Sequence, residues 1–216
     1  QHELSIDSGK HFGIPRIYEF GQMENKTRTS TLYYVIMENA GETSLWNFLK
    51  EDYTFYMTGK KDSLLYGKYD TQRKINVSTN KEKKAISFLR KKLFYNMLMS
   101  LKLMHNKKPA NIHLDIKPEQ FVIKKDELFN VRLIDFGMTK PNGTYIKKYS
   151  NNKSIGPRGT PGYFSPQMLS ALRGNVEQIS KCVDIFSLGV CFLDVICGDS
   201  VCSKDNSEFV QYWGCA

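Results

Sequence analysis

Cysteine is scarce in this chain and is confined to its C-terminal end. The 216 residues include five cysteines, all within the last thirty-five positions: Cys182, Cys191, Cys197, Cys202 and Cys215. The count is odd and no two of them form a Cys-x-x-Cys pair, so the sequence predicts neither a disulfide framework nor a zinc site. We therefore expect reduced thiols and a cytoplasmic or nuclear protein.

The sequence also contains no hydrophobic run long enough to cross a membrane. Its most apolar stretch, residues 183–196, is interrupted by Asp184, Ser187 and Asp194. A transmembrane helix needs about 20 predominantly apolar residues, so no membrane partner is expected. A short run that is apolar nearly all round is typical of a helix that is buried on every side.

Acidic residues are rare in two segments of this chain, whose formal net charge is +9. Residues 60–108 hold fourteen Lys or Arg and three acids, and residues 138–160 hold five Lys or Arg and no acid. Such lysines ordinarily form a solvated surface, and a surface for phosphate, an acidic partner or nucleic acid is the alternative. Because no aromatic or groove-reading pattern accompanies them, nucleic-acid binding is not predicted.

The chain does have enough apolar material for the core of one domain, with 41% hydrophobic and 12% aromatic residues. Two β-rich runs, residues 121–123 and 131–134, flank a polar turn and predict a hairpin. Residues 53–80 show no sustained period, and we interpret them as an insertion after a short helix over residues 44–51. Within residues 81–105, apolar side chains recur at steps of three and four and predict an amphipathic helix: Ile86, Leu89, Leu93, Met97, Leu101 and Met104.

Two acidic motifs stand on either side of the predicted hairpin. The first is His-Leu-Asp-Ile-Lys-Pro-Glu-Gln at residues 113–120, and the second is Ile-Asp-Phe-Gly at residues 134–137. Their acids, Asp115 and Asp135, should lie at neighbouring strand ends because the hairpin joins the two motifs.

This constellation contains the groups that phosphoryl transfer requires. Catalysis of that reaction consists mainly of aligning the nucleophile and neutralising charge on the phosphate oxygens. Asp115 is the candidate base that orients a hydroxyl, and Lys117 lies on the same side of an extended loop, where it can reach the phosphate. Gln120 offers an amide oxygen and Asp135 a charged oxygen to a hard cation.

Five motifs in order along the chain resemble those of the eukaryotic protein kinase superfamily, over about residues 1–198. The two acidic motifs resemble the catalytic loop and the metal-binding loop. Residues 32–41 resemble the fifth strand and the interlobe hinge, and the preceding strand is close in wording to the casein-kinase group. The remaining two motifs resemble the end of an activation segment, Arg-Gly-Thr-Pro-Gly-Tyr-Phe-Ser-Pro-Gln at residues 158–167, and the start of the F helix at Asp184.

The resemblance implies binding of ATP and Mg²⁺ and a set of residue roles. Met37 would be the gatekeeper, and the backbone groups of Glu38 and Ala40 would pair with adenine. Thr160 would contact Asp115 and Lys117, which is the pattern of Ser/Thr kinases. The resemblance also implies that the catalytic-loop backbone donates hydrogen bonds to Asp184. Lys117, Gln120 and Asp135 would contact the nucleotide, and Gln120 and Asp135 would also bind the metal.

Several positions depart from the family pattern. Leu114 replaces an Arg that normally meets a phosphorylated activation segment, so switching on should not depend on such a phosphate. Gln120 replaces the usual Asn, and Gln167 replaces the Glu that ends the segment. No glycine-rich phosphate loop and no Val-Ala-x-Lys strand precede Gly13, and the simplest interpretation is a chain that begins after most of the small lobe.

We therefore expect an α+β, protein-kinase-like fold formed by one partial domain. Residues 1–40 would be the remnant of the N-terminal β lobe, with a hinge near residues 38–42. Residues 41–216 would be the mainly helical C-terminal lobe, with the basic insertion at about residues 53–80. The sequence makes no prediction of oligomeric state.

The expected function is transfer of the γ-phosphate of ATP to a Ser or Thr hydroxyl of a protein substrate, with an acidic substrate favoured by the basic residues 138–160. A pseudokinase scaffold is the alternative, motivated by Leu114, Gln120, Gln167 and the missing lysine. A kinase of small molecules is a third, weaker option. Without most of the small lobe, the isolated chain should be inactive or poorly soluble, since ATP would lose its lid and the large lobe would expose apolar surface.

Overall fold

A computed structural model describes residues 13–24, 31–48, 80–124, 130–147 and 158–197 of the chain. Within these ranges, the side chains at positions 24, 80–86, 89, 196 and 197 are not described. Almost all of the predicted insertion and the tail beyond residue 197 lie outside the described residues.

The N-terminal part is a two-stranded antiparallel sheet. Strand β1 (Ile17–Glu24) pairs with strand β2 (Thr31–Met37), so that Ile17 lies opposite Met37 and Glu24 opposite Thr31. Aromatic and aliphatic side chains of both strands are exposed, among them Phe20 at 62% and Tyr33 at 80%. An apolar strand needs a second layer to bury its side chains, and the described residues cover neither face of this hairpin completely.

The large core is built on a small sheet and one long helix. Strands β3 (Thr43–Ser44), β5 (Phe121–Ile123) and β6 (Val131–Leu133) form an antiparallel sheet in the order β3-β5-β6. The predicted hairpin is confirmed, since Phe121 lies opposite Leu133 and Ile123 opposite Val131. This hairpin leads out of the first acidic motif and into the second.

Two helices flank the beginning of this core. Helix α1 (Leu45–Asn47) begins at Ser44, whose Oγ accepts a hydrogen bond from the Asn47 N–H at 3.2 Å, so the structure describes only the start of the helix predicted over residues 44–51. Helix α2 (Asn80–His105) confirms the predicted amphipathic helix and contacts β6. Its described apolar stripe is buried: Leu93, Met97, Leu101 and Met104.

In the described residues, two short strand pairs and three 3-10 turns hold the loops between these elements. Strand β4 (Asn111–Ile112) pairs with β7 (Lys140–Pro141), and β8 (Tyr145–Ile146) pairs with β9 (Glu177–Gln178). The 3-10 turns are Pro118–Gln120, Phe136–Met138 and Pro161–Tyr163.

The chain then forms helices α3 (Pro166–Leu172) and α4 (Cys182–Cys197). The Oγ of Ser165 caps α3 by accepting from the Met168 N–H at 3.4 Å. The expectation that α4 is buried on every side is wrong, because Ile185 and Leu193 are 49% and 39% exposed. An all-round apolar sequence cannot show which of its faces a neighbour covers. None of the helices in the described ranges is both long and apolar enough to be a membrane span.

Candidate active site

The backbone of the first acidic motif is held by a buried carboxylate. Asp184, which is 1% exposed at the start of α4, accepts hydrogen bonds from the backbone N–H groups of His113 (2.7 Å) and Leu114 (2.9 Å). The Nε2 atom of His105, at the end of α2, lies 2.9 Å from the same carboxylate. The predicted contact between Asp184 and the loop backbone is therefore present, and it joins α2, α4 and the loop.

The loop turns sharply at the residue before Asp115. Leu114 has a φ of +71°, in the left-handed region that a bulky residue rarely adopts. The chain at Gly159 passes so close that a Cβ atom there would lie 2.2 Å from the Leu114 carbonyl oxygen. Only glycine fits this approach, and the close passage brings the neighbouring Thr160 to the loop.

Three predicted site residues meet at the Asp115 carboxylate. The Thr160 hydroxyl donates to Asp115 Oδ1 at 2.8 Å, and the Lys117 ammonium donates to the Thr160 Oγ1 atom at 2.9 Å. The Lys117 Nζ atom also lies 3.4 Å from Asp115 Oδ2. An aliphatic hydroxyl is thus held between a proton-accepting carboxylate and a cation.

The second acid, Asp135, follows β6 and begins the 3-10 turn Phe136–Met138. Its backbone has a φ of +61°, and its Oδ1 accepts a hydrogen bond from the Gly137 N–H at 3.3 Å. Asp tolerates the left-handed region better than most residues because its short side chain bonds to the local backbone. The turn therefore exposes the carboxylate at the end of the strand.

Gln120 connects the two acids. Its Nε2 atom lies 3.2 Å from Asp115 Oδ2 and 3.2 Å from Asp135 Oδ2, so those two oxygens lie within about 6.4 Å of each other. Two like charges at roughly 6 Å repel by about 3 kcal/mol at an effective dielectric constant near 20, and a donor between them offsets part of that repulsion.

This orientation of Gln120 differs from the one that the sequence suggested. We expected the amide oxygen to face a cation, whereas the structure turns the amide nitrogen toward both carboxylates. The assignment has a chemical basis, since ionised carboxylates only accept hydrogen bonds and the amide oxygen would be repelled at the same place. A metal contact through this side chain requires the amide to turn over.

The buried surroundings of His113 favour the neutral form of its ring. Burial lowers the pKa of its imidazole below the usual 6.5, and this effect outweighs the nearby carboxylates of Asp184, Asp115 and Asp135, which raise it. The contacts agree: Nε2 lies 3.0 Å from the Ile134 carbonyl oxygen, which can only accept, and Nδ1 accepts from the Asp115 N–H at 3.3 Å. One neutral tautomer satisfies both contacts, and His113 thereby links the backbones of the two acidic motifs.

The predicted hinge residues form a second group at the end of strand β2. The Glu38 N–H donates to the Arg16 carbonyl at 2.8 Å, so the predicted adenine contact at Glu38 is restricted to its carbonyl group. Met37 ends β2 and is 39% exposed, and Ala40 follows in an irregular segment. The gatekeeper role of Met37 and the adenine contacts of Glu38 and Ala40 stay predictions.

Arg132 links the predicted hinge to β6, the strand that precedes Asp135, and sequence reasoning missed it. Its guanidinium is buried and forms an ion pair with the Glu38 carboxylate, which also accepts from the Arg16 N–H at 3.2 Å. Arg132 lies on β6, three residues before Asp135. The available signal was a charged residue between Val131 and Leu133 in a buried strand, since a buried arginine needs a partner.

The activation segment is anchored by apolar packing and a short ladder. Leu114, 7% exposed, belongs to a buried cluster that includes Ile146 of β8 and Ile179. The Gly143 N–H donates to the Ile179 carbonyl at 2.9 Å, and the Ile179 N–H donates to the Thr144 carbonyl at 2.9 Å. Leu114 therefore contributes to the segment's anchor through packing, where the family's Arg would bind a phosphate.

The donor set at the two acids suits magnesium. Mg²⁺ prefers oxygen ligands, usually one or two carboxylates, and keeps several of its waters. Asp135 can supply a carboxylate and Gln120, once turned, an amide oxygen. In the described part of the chain, no cluster of three or more His, Cys, Asp or Glu side chains forms a metal site of another kind.

Known proteins are similar to this chain in sequence and in fold. The sequence profile described as "Protein kinase domain" matches residues 5–213. A protein of Acanthamoeba polyphaga mimivirus, named as a serine/threonine-protein kinase/receptor, is 34% identical over 122 residues, which are 56% of this chain and 7% of that protein. The serine/threonine-protein kinase SBK1 of Mus musculus is 32% identical over 101 residues, 47% of this chain and 22% of that protein.

Among solved structures, the kinase PK-1 of Cydia pomonella granulovirus superposes with a TM-score of 0.59 at 17% identity, over 96% of this chain and 57% of that chain. At this identity the similarity establishes the protein-kinase-like fold alone. The chain thus spans about a quarter or less of these two sequence relatives and somewhat more than half of the solved structure.

Proposed function

The chain belongs to the protein kinase family, and from that premise we propose that it transfers the γ-phosphate of ATP to a serine or threonine hydroxyl of a protein substrate. One observation carries the proposal: the carboxylates of Asp115 and Asp135 both lie 3.2 Å from a single atom of Gln120. Residues twenty positions apart in the sequence therefore form one site, with Lys117 beside it.

The Asp115 side is built to receive a hydroxyl. Its carboxylate accepts a hydrogen bond from the Thr160 hydroxyl at 2.8 Å, and a substrate hydroxyl at the same carboxylate would be aligned in the same way. Asp115 takes the proton of that hydroxyl as its oxygen forms a bond to the γ-phosphorus, and the bond from that phosphorus to the bridging oxygen of ATP breaks to release ADP. Lys117 stabilises the negative charge on the transferring group.

The Asp135 side is built to hold the nucleotide's metal. Asp135 and a turned Gln120 would bind Mg²⁺, which when bound supplies positive charge to the phosphate oxygens of ATP. At the other end of the nucleotide, the hinge backbone at Ala40 and the carbonyl of Glu38 would receive the adenine, with Met37 as gatekeeper. Arg132 joins the two ends through its ion pair with Glu38.

Substrates with acidic residues near the acceptor would be favoured by the local charge. The described parts of residues 138–160 contain Lys140, Lys147 and Arg158, and no acid occurs in this range of the sequence. Transfer to an acidic peptide should exceed transfer to a peptide of the same length in which lysines replace the acids. Equal rates for the two peptides would remove this part of the proposal.

A pseudokinase scaffold is the second candidate, and the orientation of Gln120 favours it. An amide nitrogen between the two carboxylates offsets part of their repulsion with an uncharged hydrogen-bond donor, at the place where a catalytic site would hold a cation. A small-molecule kinase is less favoured, because Thr160 of the activation segment contacts Asp115, as expected of an enzyme that accepts a polypeptide.

The deciding experiment is radiolabelling of casein by the full-length protein with ATP and Mg²⁺. We expect labelling that falls by a factor of roughly 10² to 10⁴ in Asp115→Asn and vanishes in Asp135→Ala. Glu119→Gln is the matched control, because Glu119 is exposed in the same loop, and it should label as the wild type does. Absence of labelling by the wild type, together with a melting temperature that Mg-ATP leaves unchanged, would support the scaffold.

A further inference from the structure

The Gln120 side-chain amide lies between the two acids and contacts both of them. Asp115 Oδ1 is engaged by the Thr160 hydroxyl and Asp135 Oδ1 by the Gly137 N–H. The other oxygen of each acid, Oδ2, lies 3.2 Å from Gln120 Nε2, and Asp115 Oδ2 is also 3.4 Å from Lys117 Nζ. One neutral NH₂ group therefore directs its two hydrogens to two different carboxylates.

The backbone on both sides of this side chain is fixed. The Gln120 N–H donates to the Lys117 carbonyl at 3.0 Å, and the Gln120 carbonyl accepts from the Ile134 N–H at 2.9 Å. Residue 120 is also only 7% exposed. With the backbone held, the reach of the amide depends on the length of the side chain. An asparagine, shorter by one methylene, would withdraw its amide by about 1.5 Å from the point between the two acids.

A divalent cation and this NH₂ group require opposite orientations of the amide. Carboxylates attract the nitrogen, whereas a cation bound at Asp135 attracts the oxygen. The amide has to break two charge-assisted hydrogen bonds and rotate about its terminal torsion before its oxygen faces the cation. A ligand that binds only one of two states has its apparent affinity reduced by the population of the other state.

We propose that Gln120 is a positioning residue that clasps Asp115 and Asp135 through its amide nitrogen and weakens divalent-cation binding, because the amide must turn over before the cation is bound. This inference rests on the proposed function of the same site and deepens it. Because glutamine is the longer side chain, this site needs a higher metal concentration for half-saturation than the same site with asparagine at position 120. The clasp also holds the two acids at a set separation when the amide faces them.

The first test is a Mn²⁺ titration of the full-length protein, read by electron paramagnetic resonance of the free ion. Gln120→Asn should lower the half-saturating Mn²⁺ concentration roughly tenfold, because an amide that no longer spans both acids has less to lose on turning. Glu119→Gln, in the same turn, should titrate as the wild type does. Asp135→Asn should abolish this binding and identifies the site.

The outcomes separate this inference from the function it rests on. If the wild type binds Mn²⁺ through Asp135 and Gln120→Asn binds it no more tightly, the clasp is overturned and the proposed function stands. If the wild type binds no Mn²⁺, or binds it equally well without Asp135, both fall.

A second measurement needs only a folded wild type and one further variant. In the ¹⁵N-labelled protein, the Gln120 side-chain NH₂ protons should show slowed solvent exchange, and Mg²⁺ should shift them and restore exchange. Asp115→Asn, which replaces one of the two carboxylates, should shift the same pair in the absence of metal. A pair of protons that exchanges freely and ignores both changes would overturn the proposal.

Discussion

At the scale of single residues, the site depends on side chains that satisfy backbone groups of a tight loop. Asp184 accepts two of the loop's N–H groups, and His113 joins the loop to the strand end before Asp135. Each is buried, so a lost partner leaves an unsatisfied polar group that costs about 1–3 kcal/mol. These residues position the acids without touching a substrate.

The neutrality of His113 predicts a pH dependence of folding. Its pKa is lowered in the folded state from the usual 6.5, so above about pH 6.5 both states hold a neutral ring and its contribution to stability is complete. As the pH falls below 6.5, His113 becomes protonated in the unfolded chain while it stays neutral in the folded protein. The free energy of unfolding therefore declines until the pH reaches the folded pKa. Urea denaturation from pH 8 to pH 5 should show this decline.

The matched variant is His113→Phe, which fills a similar space and does not titrate. It should be less stable at pH 8, where the two imidazole contacts are lost, and its stability should fall less steeply between pH 6.5 and pH 5. Parallel curves for the wild type and the variant would contradict the assignment of this titration to His113.

At the scale of elements, the described first part of the activation segment is held by the β8–β9 pair and by apolar packing. Ile146 is 1% exposed, and it packs in the same buried cluster as Leu114 and Ile179. Apolar packing of this kind is independent of phosphorylation. We expected that, with Leu114 in place of the Arg, activation does not depend on phosphorylation of the segment. The packing gives this expectation a structural basis, and it stays a prediction.

Removing the Ile146 side chain should release this anchor. An Ile→Ala change in a buried cluster costs about 2–5 kcal/mol, and the loss should appear first as local opening, since a two-residue ladder is short. Hydrogen exchange at the Gly143 and Ile179 amides of the unphosphorylated protein should accelerate at least tenfold in Ile146→Ala. Tyr145→Ala, next to it on the same strand and 63% exposed in the wild type, should leave exchange almost unchanged; equal acceleration in both variants would argue against the apolar anchor.

At the scale of the whole molecule, apolar surface is concentrated on the β1–β2 hairpin. The side chains of Phe20 and Tyr33 are 62% and 80% exposed, and neighbouring Val35 and Ile36 are each about half exposed. Large exposed apolar patches favour association. This surface agrees with the expectation that residues 1–216 are poorly soluble when isolated, which remains to be tested.

Charging this surface should therefore improve solubility without changing stability. The double variant Phe20→Lys, Tyr33→Lys of residues 1–216 should give a larger monomer fraction in sedimentation velocity and a melting temperature close to that of the wild type, since both side chains are mostly exposed. Gln22→Lys with Thr31→Lys places the same charge on exposed polar positions of the same strands. If this control raises the monomer fraction equally, the effect is due to net charge and the prediction about the apolar patch is wrong.

Much of the architecture could be predicted because local patterns specify it. The three- and four-residue steps in residues 81–105 specified helix α2, and the two β-rich runs around a polar turn specified the β5–β6 hairpin. That hairpin has to bring the flanking motifs together, so the proximity of Asp115 and Asp135 also followed from the sequence. The exposed face of α4 did not follow, because whether Ile185 and Leu193 are covered depends on distant parts of the chain.

The sequence by itself determined the family and the residue types that meet at the site, because spacing and chemistry are local properties. Only the tertiary structure decided how those groups are oriented: that Gln120 turns its nitrogen to both acids, that His113 holds a neutral ring, and that Arg132 pairs with Glu38. Each of these depends on partners that are distant in the chain or on the direction of a side chain. A one-dimensional pattern contains neither, since hydrogen bonds and burial arise only when the folded chain brings the groups within a few ångströms.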